Sequence, residues 1–229
     1  MLRASDMLRR SAGAALDQLK WGPVETEWEA TGSEPGYTLR GYYSRNSDGP
    51  PVLIVPAPIK RPYIFDLLPR VSVVQRLLEA GFAVFLMDWR ETDDADADWG
   101  LAEYAGSWLN GAATAIARRH AEKPIFIGHS LGGTFAAIFG ATHPGAARKL
   151  LLIEAPLRFG PEAGALAAIV SASPPADMVA ALASGAPGSL LDIASSASAP
   201  EEFVAGRWQD AAVSLVDPGA WPIHQRVIR

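Results

Sequence analysis

The chain of 229 residues contains no cysteine. That excludes a disulfide framework, a thiolate metal site and a cysteine nucleophile. No apolar run approaches the roughly 20 residues needed to span a bilayer. The opening stretch MLRASDMLRR carries arginines but no continuous apolar segment, which argues against a secretory signal. A formal net charge of −5 leaves no basic footprint for nucleic acid. Histidine is scarce, with four in the whole chain. No pattern implies a metal or a redox cofactor, and a cytoplasmic location is expected. What is present is 49% apolar and 20% charged residues, enough for a packed core in one domain or most of a large one.

Residues 1–20 space Leu2, Met7, Leu8, Ala12, Ala15, Leu16 and Leu19 as an amphipathic helix. Its arginines would suit a membrane surface or an acidic partner; the plainer reading is a helix that packs on the core or frays. Trp21 to Gly36 reads as irregular, and Tyr37 to Arg45 as a strand. Val52 to Val55 and Phe82 to Trp89 are continuous apolar strands of the kind buried on both faces. Leu67 to Ala80 reads as a helix ended by Gly81, and Leu101 to His120 as another. Between them, Glu91 to Asp98 holds five carboxylates (Glu91, Asp93, Asp94, Asp96, Asp98) without the spacing of an EF-hand, so a solvated loop is expected. Ile125 to Gly128 and Lys149 to Glu154 supply two further strands. Strands alternating with helices over residues 51–156 predict a mostly parallel sheet with helices on both faces, and sites at the carboxyl ends of its strands. The expected organisation is an N-terminal helix and extension (1–36), an α/β core (37–156) and a lid or cap segment (157–229). The Ala-, Ser-, Gly- and Pro-rich stretch from Pro161 to Pro200 marks the cap; a low-complexity linker is the alternative.

One stretch organises the rest: Lys123 to Thr134, KPIFIGHSLGGT. Within it Gly128-His129-Ser130-Leu131-Gly132 fits G-x-S-x-G, between an apolar strand and an Ala-rich helix from Phe135 to Thr142. This is the nucleophile elbow of α/β-hydrolases. A serine at the apex of a sharp strand-to-helix turn needs small residues two places either side, which Gly128 and Gly132 provide. The plainer alternative is a glycine-rich turn with an idle serine.

Pro51 to Pro56, Ile59 to Leu67, Gly81 to Arg90 and the Gly128 to Gly133 elbow together resemble the polyhydroxyalkanoate (PHA) synthase family and its α/β-hydrolase relatives. The resemblance covers roughly residues 50–156 and implies an α/β-hydrolase fold. It also implies cysteine as the usual nucleophile, where this chain has Ser130, and a catalytic aspartate and histidine well beyond the cap. An acyl-transfer chemistry follows. Ser130 would form an acyl intermediate with an ester or thioester, passed to water by a hydrolase or to a hydroxyl by a synthase using hydroxyacyl-CoA. A non-catalytic relative is the third possibility.

The oxyanion hole would use the N–H of Leu131 and a second N–H from the loop after Val55. Pro56 and Pro58 have none to give, which leaves Ala57 or Ile59, and the resemblance favours Ile59. The base is harder to find. His120 lies at the far end of a helix, and strand alternation turns His129 away from Ser130. His143, thirteen residues on, is about 20 Å distant along a straight helix. If Val213 to Asp217 is a strand, Ser130, Asp217 and His224 fall in the right order, but a separation of seven positions from acid to base cannot hold the usual βα unit. The expectation is therefore an N-terminal part of a longer enzyme, with acid and base beyond Arg229. Trp89, Trp99 and Trp108 would line an acyl pocket or pack the core, and Arg90 would face the site or close the sheet edge. Acyl chain, acceptor and oligomeric state are not written in the sequence.

Overall fold

The computed structural model describes residues 11, 22–44, 49–91, 96, 98–158, 160, 206–217 and 220–223. Two compact units are present, one formed by Val24–Leu157 and the other by Met1–Pro23 with Arg158–Arg229. The first unit carries the sheet. Its strands are β1 (Glu29–Glu34), β2 (Tyr37–Tyr42), β3 (Pro51–Val55), β6 (Ala83–Trp89), β7 (Ile125–His129) and β8 (Lys149–Ile153), in the order β1-β2-β6-β3-β7-β8. β1, β2 and β6 pair antiparallel, while β6, β3, β7 and β8 run parallel. The result is a mostly parallel α/β sheet in which β7, the strand that leads into Ser130, lies between β3 and β8.

Burial follows the apolar runs. Every residue of β3 is buried, and Val84 to Met87 of β6 are 1% exposed or less. Side chains alternate between the faces, so each strand feeds two cores. Leu53, Val55, Phe85, Met87 and Phe126 pack under α2 (Trp108–His120) and α3 (Leu131–Thr142). Val52, Ile54, Val84, Leu86 and Ile127 pack on the other side with Val74 and Leu78 of α1 (Val73–Glu79). Each such side chain stabilises by about 1.5–3 kcal/mol. β8 differs: Leu150, Leu151 and Ile153 are 40%, 51% and 40% exposed despite the same composition.

Three expectations are corrected. Trp21 to Gly36 is not wholly irregular, because Glu29–Glu34 forms β1 against β2. Its residues carry no apolar alternation, and cross-strand hydrogen bonding holds it with a register shift between Ala30 and Gly32. Leu67 to Ala80 is not one helix. Asp66–Leu68 (β4) and Val71–Ser72 (β5) form a small antiparallel hairpin, and the helix begins only at Val73. Pro69 breaks the run, and Ser72 caps the helix by accepting the Gln75 N–H at 2.9 Å. Val213 to Asp217 is not a strand: Gly206–Val216 is α4, in the second unit. The expected N-terminal helix over 1–20, most of the cap and His224 lie outside the described residues.

A buried carboxylate ties the first unit together. Asp66, fully buried, accepts from the Thr26 backbone N–H (2.6 Å), the Thr26 hydroxyl (2.9 Å) and the Ser72 hydroxyl (2.6 Å). The segment before β1, the hairpin and the start of α1 are thereby fixed to one side chain.

Candidate active site

Ser130 stands between the end of β7 and the first residue of α3, with φ +53° and ψ −128°. For a residue with a Cβ this conformation costs about 1–3 kcal/mol and persists only where the surroundings over-determine it. Here they do. The Ser130 N–H donates to the Ile153 carbonyl at 2.9 Å, extending the β7–β8 ladder by one residue. The Ser130 carbonyl accepts from Gly133 N–H (2.9 Å) and Thr134 N–H (3.2 Å), the first turn of α3. The serine is thus held on both sides by backbone, and its hydroxyl makes no hydrogen bond among the described residues.

The glycines act on different neighbours. A Cβ on Gly128 would sit 2.6 Å from the Gly133 Cα, so these two let strand and helix touch. A Cβ on Gly132 would sit 2.2 Å from the Val55 carbonyl oxygen and 2.5 Å from that of Pro56. Gly132 therefore answers to the end of β3 as its nearest obstacle. Through that contact α3 seats directly on the loop after β3.

That loop is a tight turn. Lys60 N–H donates to the Ala57 carbonyl at 2.9 Å, with Pro58 and Ile59 at the two central positions. Proline presets the first of these, and the N–H of the second stays outside the turn's own hydrogen bond. The Ile59 side chain is 56% exposed. Leu131, as the first residue of α3, has no intrahelical acceptor for its N–H. The loop is pinned from outside by Trp89, whose indole N–H donates to the Pro56 carbonyl at 2.8 Å in a buried bond. No feature of the sequence signals this tether across 33 residues.

Trp89 and Trp108 are core residues, 6% exposed each. Trp89 lies 5.4 Å from the Tyr104 ring and 6.5 Å from Phe135 in the first turns of α3, and Trp99 stands edge-on to Trp108 at 5.0 Å. Burial raises the Tyr104 hydroxyl above its ordinary titration range. Burial, assisted by Glu34, pushes Tyr37 in the same cluster up to about 12. Arg90 binds the β1–β2 turn and its own loop. Its guanidinium donates to the Pro35 and Glu91 carbonyls and to Asp96, over the face of Trp99 at 4.5 Å, and so knits the loop after β6.

The histidines separate as follows. His120 ends α2 with its ring edge-on to Phe85 at 5.3 Å, and burial lowers its pKa. His143 follows α3 and stacks on Phe139 at 4.6 Å. His129 packs edge-on to Phe65 at 5.8 Å, and its Nε2 lies 3.5 Å from a Glu154 carboxylate oxygen. None of the three hydrogen-bonds Ser130. Asp217 follows α4 in the second unit. Among the described residues no cluster of three metal-ligating side chains is present, and no helix is long and apolar enough to cross a membrane.

Residues 15–227 match the alpha/beta hydrolase family, and the chain belongs to it. Among named relatives, it is 39% identical over 117 residues to a poly(3-hydroxyalkanoate) polymerase subunit PhaC of Haloferax mediterranei, covering 51% of this chain and 24% of that one. The corresponding subunit of Haloarcula marismortui is 38% identical over 117 residues, covering 51% and 25%. That of Synechocystis sp. is 36% identical over 110 residues, covering 48% and 29%. The match thus spans 24–29% of the length of these relatives.

Proposed function

We propose that the protein is a serine-nucleophile acyl-transfer enzyme that acts on a carboxylic ester or thioester through an acyl-Ser130 intermediate. The observation that carries this reading is the backbone of Ser130. Strain at φ +53°, locked by hydrogen bonds to Ile153, Gly133 and Thr134, is a feature with no use in an idle turn.

The chemistry follows from the loops around it. A base takes the Ser130 hydroxyl proton as the oxygen attacks the acyl carbon. The carbonyl oxygen gains the charge, and the N–H groups of Leu131 and Ile59 stabilise it, each by about 3 kcal/mol. Collapse expels the alcohol or thiol, protonated by the same base, and leaves the acyl-serine. Water then releases a carboxylic acid. If the acceptor is a hydroxyl at a growing chain end, the same intermediate gives a new ester. This second reading, transfer from a hydroxyacyl-CoA, is favoured by the polymerase relatives. Serine in place of the cysteine expected of that family tilts the balance to hydrolysis.

The test is covalent labelling with a fluorophosphonate. The folded chain should be labelled, and Ser130→Ala should abolish the label. A folded 229-residue chain that takes up no probe favours a non-catalytic relative or a base outside these residues, and a longer form of the chain that also takes up none would sink the reading. Turnover of p-nitrophenyl esters against release of free CoA from hydroxyacyl-CoA then separates hydrolysis from transfer.

A further inference from the structure

We propose that two copies of this chain pair through the outer edge of β8, antiparallel and about a two-fold axis at Leu151. The sheet ends in β1 on one side and β8 on the other. A sheet edge presents unpaired N–H and C=O groups, and proteins ordinarily blunt it with charge, irregularity or cover. β1 is blunted. It reads EATGSE, with Glu29 and Glu34 at its ends and a register shift between Ala30 and Gly32. β8 is not. It reads KLLLI, and its register with β7 runs unbroken from Lys149 to Ile153. Leu150, Leu151 and Ile153 are 40%, 51% and 40% exposed. Among the described residues no strand pairs with its outer side.

One hydrogen bond gives the direction of that backbone. Ser130 N–H donates to the Ile153 carbonyl, so the backbone groups of Ile153 face β7, and by alternation those of Leu151 do too. The N–H and C=O groups of Leu150 and Leu152 therefore point outward. Side chains alternate between the faces as well. Leu152 packs against the core under α3, and the Leu150 side chain lies 2.6 Å from where a Cβ on Gly140 of α3 would stand. Leu151 and Ile153 lie on the opposite face and belong to neither core.

A second copy satisfies both patterns at once. In a hydrogen-bonded antiparallel pair the outward residues must oppose each other. With the axis at Leu151, Leu150 opposes the partner's Leu152, Lys149 opposes the partner's Ile153, and the two Leu151 side chains meet. This register overlaps the whole of both strands. It also sets Arg148 opposite the partner's Glu154, and the axis repeats that pair. The charges flanking β8 are thus complementary to themselves, which a strand of unrelated sequence does not offer. Both side chains stand at the surface, 47% and 80% exposed, where Arg148 contacts Glu122 and Glu154 contacts His129. The antiparallel order also brings the amino end of the partner's β8 to the serine end of the sheet. The partner's Arg148 then lies two strand spacings from β7, about 10 Å.

The experiment is sedimentation equilibrium of the 229-residue chain across a range of concentrations. A short edge makes a small interface, so a dimer with a dissociation constant of about 10 µM is expected. Leu151→Lys sets two like charges directly across the axis and should weaken the dimer by at least about tenfold. Its melting temperature at monomeric concentrations should stay that of the wild type, because the side chain is exposed and outside both cores. Glu154→Arg should weaken the dimer by roughly fivefold, and adding Arg148→Glu should restore it. A wild-type chain that stays monomeric throughout overturns the proposal. So does a dimer that Leu151→Lys leaves intact, since the contact then lies elsewhere. Association beyond two copies also overturns it, because a two-fold contact closes on itself. A double variant no tighter than Glu154→Arg alone overturns the axis at Leu151.

Discussion

Two loops meet around Ser130, and they are built by opposite omissions. The elbow from Gly128 to Thr134 leaves out side chains: Gly128, Gly132 and Gly133 each sit where a Cβ would come within 2.6 Å of a neighbour. The loop from Pro56 to Lys60 leaves out N–H groups, through Pro56 and Pro58. The elbow is held by backbone, through Ser130 N–H on the Ile153 carbonyl and the first turn of α3. The proline loop is held from outside, by the Trp89 indole on the Pro56 carbonyl at 2.8 Å. Both devices reach the same end, a backbone N–H in a fixed place without a partner among the described residues (Leu131 in one, Ile59 in the other). The difference teaches that the loops tolerate different changes. The elbow should fail when a side chain is added, and the proline loop when a distant one is altered.

The largest effect should come from Gly132, where the two loops touch. Gly132→Ala places a methyl 2.2 Å from the Val55 carbonyl oxygen, a backbone atom that cannot swing aside. Over-packing of this kind costs about 3 kcal/mol. Chemical denaturation should show a loss of that size or a chain that does not fold. A loss below about 1 kcal/mol would mean that the loops slide past each other and that their contact does not fix the site.

Trp89→Phe should cost less, and differently. The aromatic packing against Tyr104 and Phe135 is largely kept, while the Pro56 carbonyl is left buried without its donor. An unsatisfied buried acceptor costs about 2 kcal/mol. The loop carrying Ile59 should loosen, and labelling of Ser130 should slow by roughly tenfold, the loss of part of one oxyanion donor. If stability falls but the labelling rate does not, the tether serves the core and the proline loop is self-supporting.

How far these features can be read from the sequence follows the same division. The elbow is legible because glycine and serine at fixed spacing are themselves the device. The core strands β3, β6, β7 and β8 are legible as continuous apolar runs. β1 is not, because EATGSE at the sheet's edge buries too little to show a pattern. The β4–β5 hairpin hid behind Leu67, Leu68 and Val71 at near-helical spacing, although Pro69 and the cap Ser72 marked the break. The Trp89 tether joins positions 33 residues apart and depends on where the chain turns back, which no local pattern encodes. Asp217 reads as a strand-end acid because Val213 to Val216 mimics a short apolar strand, whereas these residues lie in α4.

The smallest effect tests the claim that the elbow stores strain. Ser130 at φ +53° and ψ −128° occupies a region that glycine enters without a steric penalty. Ser130→Gly should release about 1–3 kcal/mol of strain. Against this stands the greater freedom of glycine in the unfolded chain, which costs about 0.5–1 kcal/mol. The net expectation is a gain of about 1 kcal/mol, read as a higher urea midpoint at an unchanged slope. The variant loses the nucleophile, so a more stable protein that takes no label would show function and stability opposed at one position. An equal or lower midpoint would mean that the hydrogen bonds to Ile153, Gly133 and Thr134 hold the turn without strain. The elbow and the proline loop would then both be held by hydrogen bonds alone, and the contrast between them would narrow.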